Sequence, residues 1–225
     1  MVDSDCGEFA AVYIPLSSRC NAAKVEKSDW PRKIMLSAEL LKVPRTIVLV
    51  GLMGAGKSCI GRRLATLLDL KFTDADTEVE RAAGCAIEEI FERHGETAFR
   101  DGERRVIQRL LGQAVQVLAT GGGSFMDPKT RAAIHEQGIS VWLRADLDLL
   151  LKRTGRRNNR PLLKRGDPRA ILKGLIAERH PVYGEANVVV DSVDGPPEVT
   201  VERVRAAVED YVASQSGHMT REVSR

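Results

Sequence analysis

Thr46-Ile47-Val48-Leu49-Val50-Gly51-Leu52-Met53-Gly54-Ala55-Gly56-Lys57-Ser58 joins a short β-branched run to the pattern G-x-x-x-x-G-K-[ST]. The run reads as a buried strand, and residues 61–68 supply the helix that should follow. That order gives the octapeptide its chemistry. Glycine amides converge on phosphate oxygens where a strand ends, and the helix N-terminus adds favourable potential. The amides of Gly54, Ala55, Gly56, Lys57, Ser58 and Cys59 form the expected cradle for the phosphates of a nucleoside triphosphate. Lys57 is expected to bridge the β- and γ-phosphates, and the Ser58 hydroxyl to ligate Mg²⁺.

Outward from this loop the chain alternates. Stretches 70–73, 115–120, 139–143 and 187–190 read as strands separated by helical pattern, which predicts an α/β fold with a five-stranded parallel sheet covered on both faces. Asp127-Pro128 and Asp167-Pro168 each place an acid at the N-cap before a proline at the first helical position, and Asp146 marks a third start. One domain over 45–215 is expected, with a tail at 216–225. Residues 1–44 read as an extension without sustained periodicity, largely unstructured apart from a short helix near 34–42.

Composition narrows the classes. With 29% charged and 43% apolar residues, and no run near the roughly 18 apolar residues a span requires, membrane insertion is not expected. A net charge of +3 gives no global field for nucleic acid. Cys6, Cys20, Cys59 and Cys85 show no C-x-x-C spacing and the four histidines are scattered, so reduced thiols without zinc are expected. Acidic residues near the N-terminus argue against a transit peptide, and a cytoplasmic location is expected.

Residues 151–169 are strongly basic and rich in loop formers. No aromatic residue is interleaved to stack bases, so an arginine-bearing lid over the nucleotide is preferred to a nucleic-acid patch or a plain solvated loop.

Phosphoryl transfer also needs a magnesium site and a group that orients the acceptor hydroxyl. Asp74 and Asp76 follow the second strand in Phe72-Thr73-Asp74-Ala75-Asp76, at the carboxyl edge of the sheet. Strand alternation would aim both carboxylates one way. One suits magnesium and the other the acceptor hydroxyl. A competing reading makes Asp76 only the N-cap of a helix over 77–81. Arg100 and Glu103 stand at i, i+3 on one helix face, as a surface ion pair or as part of a site. Gly121-Gly122-Gly123 after the third strand permits close backbone approach to a ligand, or a plain turn.

Taken together, the loop 51–58, Asp74-Ala75-Asp76, Phe99-Arg100-Asp101-Gly102-Glu103, Thr120-Gly121-Gly122-Gly123, Arg160-Pro161-Leu162-Leu163 and Glu178-Arg179 with Tyr183 occur in the order found in shikimate kinases. Over 45–190 the chain resembles that family. The resemblance implies a P-loop kinase fold of the nucleoside monophosphate kinase type, and transfer of the ATP γ-phosphate to the 3-hydroxyl of shikimate. It implies that Asp76 meets the shikimate hydroxyls and that Arg100 and Arg179 clamp the carboxylate. Gly121, Gly122 and Gly123 line the ring, and Glu103 fixes Arg100. By the same resemblance Arg160 reaches the phosphates from the lid and Arg153 with residues 194–197 flanks adenine, while the residues themselves offer Ser58 and Asp74 for the metal. The expected partners are ATP and shikimate, and the expected state is a monomer. Two other readings stay open: a gluconate kinase-like enzyme on the same fold, and a nucleotide-dependent switch, against which no Asn-Lys-x-Asp guanine signature occurs.

Overall fold

The computed structural model describes residues 43–155 and 166–222. The expected extension up to residue 42 and the centre of the expected lid lie outside the described residues. Strand β1 (Thr46–Val50) is buried at all five positions, as its apolar, β-branched composition dictates. It is the middle of a five-stranded sheet in which β2 (Lys71–Asp74), β3 (Gln116–Ala119), β4 (Gly138–Arg144) and β5 (Val188–Asp191) are ordered β2-β3-β1-β4-β5. Every pairing is parallel, with Ile47 opposite Val117 and Ile139. The five strands fall within a residue or two of their expected positions. At the edges the pattern thins: β5 alternates buried and exposed, because it has one neighbour and incomplete cover.

Helices fill the crossovers. They are α1 (Lys57–Leu67), α2 (Ala75–Ala83), α3 (Ile87–Leu111), α4 (Pro128–Gln137), α5 (Leu147–Gly155), α6 (Pro168–Tyr183) and α7 (Pro197–Glu222), with a 3₁₀ turn at Ser124–Met126. Within α3, Gly95 (φ 75, ψ 176) breaks the helix into two segments. All three expected starts are capped. Asp127 accepts from the Thr130 amide at 3.0 Å, Asp146 from the Leu149 amide at 2.7 Å, and Asp167 from the amides of Arg169 and Ala170. Replacing Asp127 with Ala removes both this bond and the one from the Thr130 hydroxyl at 2.7 Å. Chemical denaturation should show a loss of about 1 kcal/mol.

Two expectations about extent change. Residues 151–155 are not loop: Leu149, Leu150 and Thr154 are buried, so α5 continues to Gly155 and carries Arg153 on its last turn. And α7 runs past residue 215, where the domain was expected to end, to Glu222. Among the described residues, no helix is long and apolar enough to cross a membrane.

The topology decides where ligands can sit. Because β1 lies between β3 and β4, the loops leaving β1, β2 and β3 meet at one edge. The Thr120 hydroxyl and amide both donate to the Leu49 carbonyl, at 3.0 and 3.2 Å, and so pin the glycine loop after β3 beside the P-loop.

Candidate active site

Left-handed backbone at Gly54 (φ 85) and Gly56 (φ 101) turns the chain from β1 into α1. The resulting loop borders a cleft of about 530 Å³ whose walls include Gly54, Gly56, Lys57, Ser58, Cys59, Asp74, Asp76, Gly121, Gly122 and Arg153. Residues expected to serve the nucleotide thus share one space with Asp76, Gly121 and Gly122 of the expected acceptor set, whereas Arg100, Gly123 and Arg179 are not among its walls. Ala55 differs from the rest of the expected cradle. Its side chain is buried, and its amide donates within the loop to the Leu52 carbonyl at 3.2 Å. Arg160 lies outside the described residues.

Lys57 Nζ donates to the carbonyls of Gly51 at 2.7 Å and Leu52 at 3.1 Å. The Ser58 hydroxyl donates to Asp74 Oδ2 at 2.7 Å, so two hard oxygen atoms stand side by side. Arg153 braces the P-loop. Its guanidinium reaches Gly54 O and Ala55 O at 3.4 Å, Ser192 Oγ at 2.8 Å and Val193 O at 2.7 Å, tying the P-loop to the segment after β5. Lys152 pairs with Asp194 at 2.5 Å on the same rim.

The two aspartates are arranged differently from the expected alternation. β2 ends at Asp74 and the helix begins at once, so Asp74 is the N-cap, accepting from the Asp76 amide at 3.2 Å. Asp76 is in the first turn and has no capping duty, which leaves its carboxylate for the cleft. Partial burial, then the charges of Asp74, Glu103 and Glu80, push its pKa up to about 6, while Lys57 pulls the other way. The unfolded chain holds that proton only below about 4. Folding therefore favours the protonated form, and stability falls as pH rises through about 6. Asp76→Asn should therefore raise the melting temperature of the metal-free protein at pH 8, with little gain at pH 4.

Beside the glycine loop, Arg100 Nη1 donates to Glu103 Oε2 at 2.8 Å and Nη2 to Glu96 at 3.3 Å. Burial works against its charge, but Glu103 and then Glu96 more than offset that and raise its pKa above the usual arginine value. Glu103 is only 2% exposed, and its other oxygen accepts from the Ser124 hydroxyl at 2.5 Å. This is a buried, doubly satisfied carboxylate and not a surface pair. Arg179 Nη1 donates to the Gly122 carbonyl at 2.9 Å, and its buried Nε makes no hydrogen bond. The glycines are explained partly by the protein itself. A Cβ on Gly121 would stand 2.8 Å from Asp76 Oδ1 and 2.9 Å from Glu103 Oε1, and one on Gly123 2.5 Å from the Arg100 guanidinium. Gly121 and Gly122 face the cleft, whereas Gly123 makes room for Arg100.

With this geometry in view, the comparisons are specific. The family model described as shikimate kinase matches residues 53–209. A shikimate kinase of Paramagnetospirillum magneticum is 58% identical over 171 residues, covering 76% of this chain and 88% of that one. The chain belongs to the shikimate kinase family. A second member, from Rhodopseudomonas palustris, is 55% identical over 170 residues, covering 76% and 84%. Among solved structures, the shikimate kinase of Acinetobacter baumannii in complex with shikimate matches with a TM-score of 0.73 at 37% identity, covering 77% of this chain and 97% of that one. As a member of the family, the chain is an ATP-dependent kinase that phosphorylates shikimate.

Two residues of the site had been given no role from the sequence. Ser124 closes the glycine loop, and Tyr183, one turn beyond Arg179, donates its hydroxyl to the Gly122 carbonyl. Both were visible as neighbours of assigned residues. Only the fold shows what they touch.

Proposed function

We propose that ATP occupies the P-loop end of the cleft and shikimate the Gly121–Gly122 end, with its carboxylate toward Arg100 and Arg179 and its 3-hydroxyl toward Asp76. The observation that carries this reading is that Asp76, relieved of capping, lines the same cleft as Lys57, while Arg179 is bonded to the Gly122 carbonyl and Arg100, held by Glu103, packs against Gly123. Ser58 and Asp74 suit Mg²⁺. Among the described residues no cluster of three or more His, Cys, Asp or Glu could hold a metal unaided, which fits an ion that takes most of its ligands from phosphates and water. When bound, the ion would neutralise phosphate charge.

Asp76, a carboxylate above about pH 6, accepts the proton of the 3-hydroxyl. That oxygen bonds to the γ-phosphorus, the bond from γ-phosphorus to the β–γ bridging oxygen breaks, and ADP leaves with the electron pair. Lys57 stabilises charge on the transferring group. Arg160 keeps the role that the resemblance gives it. A coupled ADP-release assay comparing shikimate, quinate and gluconate should respond to shikimate with strong preference and stop on addition of a chelator. Silence with shikimate, or an equal response to gluconate, overturns the reading.

A further inference from the structure

Arg100 and Arg179 belong to α3 and α6, elements far apart in the chain. What joins them is the glycine loop, and at each end the joint is a buried hydroxyl. At one end Ser124, fully buried, donates to Glu103 Oε1 at 2.5 Å, and Glu103 Oε2 holds Arg100 at 2.8 Å. The Gly121 carbonyl lies 3.1 Å from the same hydroxyl, but the nearer and charged carboxylate takes the single proton. At the other end Tyr183, also fully buried, donates to the Gly122 carbonyl that Arg179 Nη1 holds at 2.9 Å. Two donors fill both lone pairs of that oxygen and fix the loop's orientation against α6. Burial pushes the Tyr183 hydroxyl up to about 12, so it remains a donor throughout the working pH range.

We propose that Ser124 and Tyr183 are positioning residues: through Glu103 and the Gly122 carbonyl they set the separation and aim of the Arg100 and Arg179 guanidiniums, and thereby the affinity for a carboxylate on the acceptor. The proposal rests on the reading that those two arginines meet the shikimate carboxylate. Neither hydroxyl needs to touch substrate. A carboxylate held by two forks gains from both only if their spacing matches it, and small misplacement loses much of the benefit.

The test measures steady-state kinetics of wild type, Ser124→Ala, Tyr183→Phe and Arg100→Ala with two acceptors. One is shikimate, and the other is the cyclohexene triol carrying hydrogen in place of the carboxylate. For Ser124→Ala and Tyr183→Phe the KM for shikimate should rise about tenfold, with kcat and the KM for ATP within about twofold of wild type. With the triol the same variants should match wild type, since there is no carboxylate to place. If both acceptors lose activity alike, or neither does, the positioning role is overturned. Arg100→Ala separates this from the parent reading: it must penalise shikimate far more than the triol. If it does while the hydroxyl variants discriminate nothing, the clamp stands and the proposal falls. If it does not, the clamp itself is wrong. Both hydroxyl replacements are near-isosteric. Should Ser124→Ala fail to fold, Ser124→Cys, a weaker donor of similar shape, is read in the same way.

Discussion

Asp76→Asn is expected to lower kcat by about 10²- to 10⁴-fold, the range removed when a positioned general base is lost, with the KM for ATP within about twofold of wild type. Asparagine keeps the size of the side chain and can still hydrogen-bond a hydroxyl, so shikimate binding should suffer less than turnover. The Asp76 carboxylate interacts electrostatically with Lys57, but the cradle is built of backbone amides shaped by the turn at Gly54 and Gly56, so it should survive. Asp74, which caps α2 and accepts from Ser58, is untouched. Single-turnover and steady-state measurements with ATP and shikimate check this directly. A normal kcat would remove Asp76 from the chemistry. The same substitution carries the opposite sign for stability at pH 8, so a side chain that the fold holds charged at a cost is one on which turnover is expected to depend.

Arg100→Ala is expected to raise the KM for shikimate about 10²-fold and to leave nucleotide binding unchanged. The effect has two parts. One guanidinium fork is withdrawn from the acceptor carboxylate, and Glu103, only 2% exposed, loses its cation and keeps the Ser124 hydroxyl as its neighbour. A buried carboxylate so placed next to an incoming carboxylate repels it. Arg100→Lys should recover only part of the loss, because an ammonium cannot address two carboxylates in parallel. Isothermal titration with shikimate and, separately, with a nucleotide distinguishes this from general damage. Equal weakening of both ligands would place Arg100 in the scaffold.

Much of this was legible in the sequence because it is local. Strand β1, the octapeptide and the caps at Asp127, Asp146 and Asp167 depend on neighbours a few residues away, and all stand where the residues indicate. Asp74 and Asp76 were harder. Period-two reasoning assumes the strand continues, whereas the helix begins at Ala75, and the choice of which acid caps it follows from that start. The basic stretch from residue 151 showed its charges plainly, but not that Leu149, Leu150 and Thr154 are buried and extend α5. Gly123 read as room for a ligand, and is room for Arg100. Ser124 and Tyr183 show the limit most clearly. Each is an ordinary residue whose importance lies in one atom it meets across 21 or 61 positions of chain.

The strand order has a consequence for how the protein comes into being. β1 is made first, yet its neighbours are β3 and β4, and the Thr120–Leu49 bond that seats the glycine loop spans 71 residues. A nascent chain that has emerged only as far as β2 already carries the whole phosphate-binding octapeptide, but β1 has nothing to pair with, since β2 bonds to β3 alone. The contacts that would shape the loop are distant ones, and their closure is entropically slow. During synthesis the apolar segment Thr46–Val50 therefore waits, unpaired and adhesive, until β3 and β4 arrive. ATP affinity is thus expected to arrive late, and a chain cut short before residue 116 should keep the signature of a nucleotide-binding protein without binding one.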